Sequence, residues 1–430
     1  MNQYLKKYKL YFINQMETFM LYIKTFLKWL FLSIIMGVVC GIAGTLFHYS
    51  VDFATEMRTS YPYLIFLFPI AGVFIVFLYR ACGIKEDKGT NAVLNSVTSR
   101  EKLPPQMGFL IFIATFLTHL TGGSAGREGA ALQIGGSIAA TFDKIFHFTE
   151  EDKRILTMCG MSGLFSALFN TPITAAVFSL EAIKVGNIFY GALIPCLMSS
   201  AVAFVFSHYF NIRPLSYRIA GFPAIRPDTL VNVVIFAILC ALVAILFCIA
   251  MKYTSKLFQR VFKNPYLRIL AGSAFLIAMT FAFNTTDYNG AGMNVIAAAI
   301  HGETKPEAFL LKILFTAITL GTGFKGGEIV PVFFVGSTFG CFAGSLLGLE
   351  PGFAAALGLT AVFCACVNAP LASIFLGVEL FGSTDILLYA IVCAVSYTLS
   401  GKYSLYSSQK FLYSKKSPGY LLEKHHKSVL

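Results

Sequence analysis

Charge is the scarcest commodity in this chain. Only 13% of its 430 residues are Asp, Glu, Lys or Arg, about half the share found in soluble domains. Carboxylates are rarer still, 21 against 33 basic side chains. With 57% hydrophobic residues and a mean hydropathy of +0.72, a soluble globule could not hide so much apolar surface. No charged residue occurs between Ile155 and Leu180, and Glu350 is the only one between Ile329 and Val378. Since about 20 apolar residues cross the hydrocarbon core, such runs suit spanning or broken helices. The expected fold class is an all-α polytopic membrane protein.

Other absences narrow the field. The N-terminus lacks a short apolar core followed by a small-residue cleavage site, so no removable signal peptide is expected. The ten cysteines, at 40, 82, 159, 196, 240, 248, 341, 364, 366 and 393, fall nearly all inside apolar segments. Only Cys364 and Cys366 are close, and no Cys or His cluster matches them, so they read as small buried hydrophobes. No metal, disulfide or cofactor is expected. After the last apolar segment about thirty residues remain, too few for a regulatory module of ordinary domain size.

The net charge of +12 would suggest nucleic acid in a soluble protein. Here Lys6, Lys7, Lys9, Lys24 and Lys28 lie before or at the first apolar segment, and Lys402, Lys410, Lys415, Lys416, Lys424 and Lys427 after the last. Such flanks put both termini on the cytoplasmic face and against anionic lipid headgroups. No nucleic-acid partner is needed.

What the chain does have is a glycine-rich charged motif, Thr121 to Gly136, TGGSAGREGAALQIGG, between two apolar segments. It reads as a helix start inside the membrane. A helix N-terminus carries roughly half a positive charge and unpaired amides, so it binds an anion without burying a cation. The backbone at Arg127 and Gly129 would contribute. From Gly321 the pattern returns as GTGFKGGEIVPVFFVGSTFG, with Glu328 lying 200 residues after Glu128 (328 − 128). Phe169-Asn170-Thr171-Pro172 with an apolar run to Glu181 matches Val367-Asn368-Ala369-Pro370 with a run to Glu379. Gly89-Thr90-Asn91 echoes Gly292-Met293-Asn294. Three paired elements in one order indicate a duplicated half. Glycine- and proline-interrupted hydrophobic segments in both halves point to a transport site at the repeat interface.

The chain divides accordingly. Residues 1–27 read as a basic amphipathic lead-in at the membrane surface, 28–210 as the first membrane repeat, and 211–228 as a polar, proline-marked linker. Residues 229–401 form the second repeat and 402–430 a short cytoplasmic tail. Short apolar pieces at 106–121 and 129–146 meet at Glu128, as broken helices would, and Thr149 is placed to cap a helix after the charged loop that follows.

An acidic group within the bilayer is costly and usually marks an ion path or proton relay. Taken singly, Glu128 and Glu328 are equally well read as caps of their own helices. Taken with the glycines, the repeat and the membrane setting, they favour an ion path. A carboxylate at an anion-binding helix terminus competes with the anion for the same amides and lets go when protonated, so the site can exchange an anion for a proton.

The stretches Gly126-Arg127-Glu128-Gly129, Gly326-Gly327-Glu328-Ile329-Val330-Pro331 and Phe169-Asn170-Thr171-Pro172 resemble the CLC family of chloride channels and proton-coupled anion antiporters, over roughly residues 30 to 412. The resemblance implies an inverted repeat of tilted, partly broken helices in a bacterial-type cell membrane, and a homodimer with a separate path in each subunit. It makes Glu128 the external gating glutamate. Thr90 falls where the family's first anion-binding loop places a serine hydroxyl, and Tyr406 resembles the tyrosine that closes the inner side of the central site. Amides near Glu328, Ile329 and Val330 would supply further donors. Taken alone, Thr90 reads equally as a turn residue and Tyr406 as an interfacial aromatic.

Two departures bear on mechanism. Proton-coupled chloride antiporters of the family end the helix after the Asn-Ala-Pro stretch with paired glutamates, the second being the internal proton acceptor. Here the pair reads Glu181-Ala182, which leaves Glu181 a weak proton-path candidate and better read as an interfacial helix-end carboxylate. Chloride-selective members carry an apolar residue at Glu328, and a glutamate there resembles the bacterial fluoride/proton antiporter branch. That branch has a non-hydroxyl residue near Thr90 and a threonine near Val330. Thr90 and Tyr406 would serve chloride, whereas a protonated Glu328 would serve small, strongly hydrated fluoride.

The halide is therefore open, and proton-coupled antiport ranks above a passive channel because two titratable groups line the path. A different class stays in view. Gly160-Met161-Ser162-Gly163 matches the G-x-S-G of intramembrane serine proteases, which need a histidine base. His119 and His208 are the candidates, and neither sits in a small-residue helix-packing pattern.

Overall fold

The computed structural model of the chain describes residues 2–416 apart from 85–86, 100, 213–216, 218, 220, 222–225 and 385, with side chains described from Tyr11 onward. Most of the 211–228 linker and the tail beyond 416, with Lys424 and Lys427, therefore lie outside the described residues. The first repeat runs through α1 (Asn2–Ser60), α2 (Phe68–Ala81), α3 (Thr90–Thr98), α4 (Met107–Leu120), α5 (Glu128–Phe146), α6 (Glu150–Phe169), α7 (Pro172–Glu181) and α8 (Leu193–Tyr209). The second follows as α9 (Pro227–Val261), α10 (Pro265–Ala282), α11 (Met293–Ile300), α12 (Ala308–Thr322), α13 (Ile329–Leu346), α14 (Pro351–Val367), α15 (Pro370–Phe381) and α16 (Ile386–Leu399). Eight helices answer eight, in the same order.

Six of the described helical stretches are long and apolar enough to cross a membrane, and six more are apolar but only 10–17 residues long. α4 stops at Leu120 and α5 starts at Glu128, as the sequence predicts, and α12 and α13 repeat the break. The lead-in differs from expectation. Residues 1–27 are not a separate surface element, because α1 continues unbroken from Asn2 to Ser60. Nothing between Lys24 and Leu32 breaks a helix, since this stretch holds neither glycine nor proline.

Local rules repeat as faithfully as the order. α6 and α14 both end on an asparagine in the left-handed region, Asn170 at φ 56° and Asn368 at φ 56°, a conformation asparagine tolerates better than other side-chain-bearing residues. The next residue precedes a proline and is pushed out of the helical region, Thr171 at φ −122° and Ala369 at φ −127°. Pro172 and Pro370 then open new helices. Thr149 caps α6 as predicted, its Oγ1 accepting the Asp152 N–H at 3.3 Å.

Packing also follows the repeat. α5 lies on α6 so closely that a Cβ on Gly135 would stand 2.1 Å from the Gly160 carbonyl oxygen, and α13 on α14 so that one on Gly336 would stand 2.5 Å from that of Gly358. The core runs through these helices. α14 is buried along almost its whole length, Phe353 to Val367 being wholly enclosed. Nine of the ten cysteines are buried there or nearby, and Cys82 is exposed. One small sheet joins the repeats to the tail, β1 (Lys184–Val185) pairing in parallel with β2 (Lys410–Phe411).

Candidate functional site

The two glycine motifs meet at the centre of the molecule. Gly126 N–H donates to Gly327 O at 2.8 Å and Gly327 N–H to Gly126 O at 2.7 Å, an isolated antiparallel bridge between the halves. α5 and α13 start immediately after it, so both helix N-termini converge on one spot. The approach needs glycine: a Cβ on Gly327 would lie 2.4 Å from Gly129 N and 2.9 Å from Glu128 N.

Glu128 occupies that spot. Its side chain is 3% exposed, and Oε2 accepts the Arg127 N–H at 2.9 Å. The first turn of α13 stands beside it, since a Cβ on Gly126 would lie 2.6 Å from Glu128 Oε2 and 2.9 Å from Val330 Cβ. The carboxylate thus sits where the starts of α5 and α13 meet. The guanidinium of Arg127 points elsewhere: Nη1 pairs with Asp52 of α1 at 2.8 Å, and Nε stands 3.8 Å from Glu128 Oε1. Asp52 in turn meets His48 Nε2 at 3.0 Å. What Arg127 brings to the Glu128 carboxylate most directly is its backbone N–H.

Glu328 faces the other way along the same axis. A Cβ on Gly129 would sit 3.0 Å from Glu328 Oε2 and 3.4 Å from Thr90 Oγ1, so Thr90, Gly129 and Glu328 share one small volume. Thr90, expected in a loop, is the first residue of α3, and its hydroxyl donates to Gly129 O at 3.4 Å. Glu328 Oε2 and the Tyr406 hydroxyl are both buried without a hydrogen-bond partner among the described residues. Both line a cavity of about 770 Å³ that also exposes Lys252, Lys256 and Lys402. Ile329 and Val330 are buried at the start of α13.

Glu181 lies elsewhere, at the end of α7. It is 7% exposed, and its two oxygens accept the N–H groups of Leu371 (3.1 Å) and Ala372 (2.9 Å), the first turn of α15. Glu379 near the end of α15 does the same for α7, accepting from Ile173 (2.9 Å) and Thr174 (2.8 Å). Each helix caps the other. The sequence shows both glutamates but not the exchange, because a cap supplied from 190 residues away leaves no local spacing.

Lys312, a lone cation in the apolar α12, also went unread. It is fully buried and donates to Gly290 O at 2.7 Å and Tyr288 O at 3.2 Å, with its ammonium 5.0 Å above the Phe334 ring. The turn it holds bonds onward, Gly290 N–H to Gly123 O and Asn289 Nδ2 to Gly122 O. Lys312 thereby braces the backbone leading into Glu128. Gln409 does similar work near the tail, its Nε2 donating to both Ala182 O and Val367 O at 2.8 Å. Ser162 has no histidine beside its hydroxyl, which donates to Cys196 O at 2.9 Å, while His119 Nδ1 is bonded to Thr115 O. A serine-protease arrangement is not assembled.

Comparison with known proteins bears on the fold and the family. A sequence profile described as voltage gated chloride channel matches residues 71–401. A chloride/fluoride channel protein of Pseudomonas syringae pv. tomato is 34% identical over 395 residues, covering 90% of this chain and 87% of that one. The H(+)/Cl(-) exchange transporter ClcA of Vibrio cholerae is 26% identical over 409 residues, 86% of each. Among solved structures, a CLC-type fluoride/proton antiporter superposes with a TM-score of 0.87 at 32% identity, covering 90% of this chain and 98% of that one. A slow cyanobacterial Cl-/H+ antiporter shares the fold, with a TM-score of 0.75 at 20% identity over 86% of this chain and 94% of that one. With its duplicated broken helices joined at Gly126 and Gly327, the chain is a member of the voltage-gated chloride channel family, the CLC family.

Proposed function

We propose that this protein is a multi-pass membrane antiporter that exchanges fluoride for protons, with Glu128 as the titrating gate and Glu328, Tyr406 and Thr90 lining the anion path. The observation that carries the reading is the buried Glu128 carboxylate where the starts of α5 and α13 meet, bonded to the Arg127 N–H and close to Val330. A carboxylate in that position stands where a transported anion would bind. Protonation cancels its charge and weakens its hold on the amides, so an anion takes its place. Loss of the proton on the other side reverses the exchange.

Fluoride is favoured over chloride by Glu328. Its Oε2 is buried, unpartnered, and shares a cavity with the Tyr406 hydroxyl. A protonated carboxyl and a phenol are short, strong O–H donors, which a small and strongly hydrated ion needs to replace its water. The 34% identical relative and the 32% identical structure both carry fluoride in their descriptions. The dimer with a path in each subunit, the cell-membrane location and the cytoplasmic placement of both termini belong to the same proposal, and the basic flanks support the orientation.

The test is anion efflux from proteoliposomes loaded with fluoride or chloride, with external pH followed at the same time. Uphill proton movement driven by a fluoride gradient, and weaker movement with chloride, is the expected result. Equal exchange with both halides would remove fluoride preference. Efflux without proton movement, once leaks are excluded, would make the protein a channel and Glu128 a gate alone.

A further inference from the structure

A second cavity, of about 570 Å³, opens beside the one that reaches Glu328, sharing Ser255, Gln259, Leu320 and Gly321 with it. Its wall carries Arg80, Lys88, Lys263, Arg268 and Lys325 against the single carboxylate of Asp87. Two of these cations are neutralised: Lys325 pairs with Asp87 at 2.7 Å and Lys88 with Glu101 at 2.8 Å. Arg80, Lys263 and Arg268 have no ion-pair partner among the described residues. The arginines are nevertheless fixed in place. The Arg80 guanidinium lies 5.0 Å over the Tyr266 ring, and Arg268 Nε donates to Thr322 O at 3.4 Å. The start of the 18-residue α10 reaches the same cavity at Pro265, adding its positive dipole end.

Three cations around one cavity that have no ion-pair partner among the described residues, two of them guanidiniums, suit a phosphate group, whose oxygens accept the paired N–H fork of arginine. The surroundings say which phosphate. Away from the cavity α2 and α10 expose Phe74, Phe77, Leu267 and Leu270, an apolar face next to a charged pocket at the helix ends. That order, charge at one end and hydrocarbon along the side, is the order of a phospholipid. We propose that this cavity between α2, α9, α10 and α12 binds the phosphate headgroup of an anionic phospholipid, with the acyl chains along α2 and α10.

The experiment counts lipids on the detergent-solubilised protein by native mass spectrometry, with phosphatidylglycerol or phosphatidylcholine added. Wild-type protein should retain phosphatidylglycerol in preference to phosphatidylcholine. Each cation near a membrane surface contributes roughly five-fold to anionic-lipid affinity, so Arg80→Gln with Arg268→Gln should weaken phosphatidylglycerol binding by roughly thirty-fold. The double Arg→Lys variant should keep most of it. If the double Gln variant fails to fold, Lys263→Gln at the rim serves in its place, with a loss of roughly five-fold. Equal binding to wild type and Gln variants, or equal retention of the two lipids, overturns the proposal. Glycerol phosphate that displaces phosphatidylglycerol at equal concentration overturns the lipid assignment and makes the ligand a soluble phosphate. The readout is binding, so it stands or falls apart from the transported ion.

Discussion

Gly126 and Gly327 exchange a pair of backbone hydrogen bonds, 2.8 and 2.7 Å long, across the centre of the molecule. They lie in equivalent motifs of the two repeats, which the antiparallel bridge joins. Everything proposed for ion movement is arranged about this bridge, since α5 leaves it on one side with Glu128 and α13 on the other with Glu328.

Replacing Glu128 by Gln leaves an amide that accepts the same N–H bonds but cannot titrate. Proton movement in the proteoliposome assay should be abolished while some anion flux persists. Continued proton coupling in Glu128→Gln would falsify the gate assignment.

Glu328→Gln keeps the volume and loses the carboxyl O–H. Fluoride transport should fall by about ten-fold or more, in line with one strong donor lost from a buried site, and chloride transport by less. Side-by-side rates for the two halides check this, and an equal loss removes Glu328 from halide selection.

The exchanged caps of Glu181 and Glu379 separate a structural role from a proton-relay role. Each Glu→Gln change weakens two bonds to a helix N-terminus and should cost about 1 kcal/mol, read as a lowered melting temperature in detergent. Because the two sites lie at one interface, the double variant should lose a different amount from the sum of the singles. Proton coupling should survive in Glu181→Gln, and its loss there would instead put Glu181 on the proton path.

Gly327→Ala drives a methyl group to 2.4 Å from Gly129 N. The bridge must open, so folding yield or transport should collapse. Gly191→Ala, whose nearest neighbour would be 3.6 Å away, is the control and should behave as wild type. A fully active Gly327→Ala protein would show that the bridge is dispensable.

Asp87 lies outside the membrane-spanning helices. Burial alone would raise its pKa, but the Lys325 ammonium and the Gly89 N–H outweigh it and hold the carboxyl below its ordinary value. A depressed carboxylate stabilises the fold above its unfolded pKa of about 3.9. That stability is lost as pH falls through the lower folded value. The melting temperature should therefore drop on acidification below about pH 4, and Asp87→Asn should flatten that part of the profile. An unchanged profile in the variant would deny the pair any share in acid stability.

Long elements and their breaks were legible because their causes are local. The apolar runs, Pro172 and Pro370 after left-handed asparagines, the Thr149 cap and the start of α5 at Glu128 each follow from residues within one or two turns. α3 and α11 were not legible. With nine and eight residues in or beside polar stretches rich in glycine and asparagine, the sequence assigns them no helix, since so short a helix is stable only through packing. The Glu residues of the site stood out by their rarity in apolar surroundings. Lys312 was equally rare and was passed over, because its partners are backbone carbonyls that carry no sequence signature.

By itself, then, the sequence determined the membrane class, the duplication and the motifs that start α5 and α13, because hydropathy, repeat offsets and helix-breaking residues act over a few positions at a time. The tertiary structure decided which donors hold which carboxylate. Val330 comes to lie beside Glu128, Glu181 caps α15 and Glu379 caps α7 across about two hundred residues of chain. A hydrogen bond depends on a distance in space, and the packing of the two repeats against each other sets that distance.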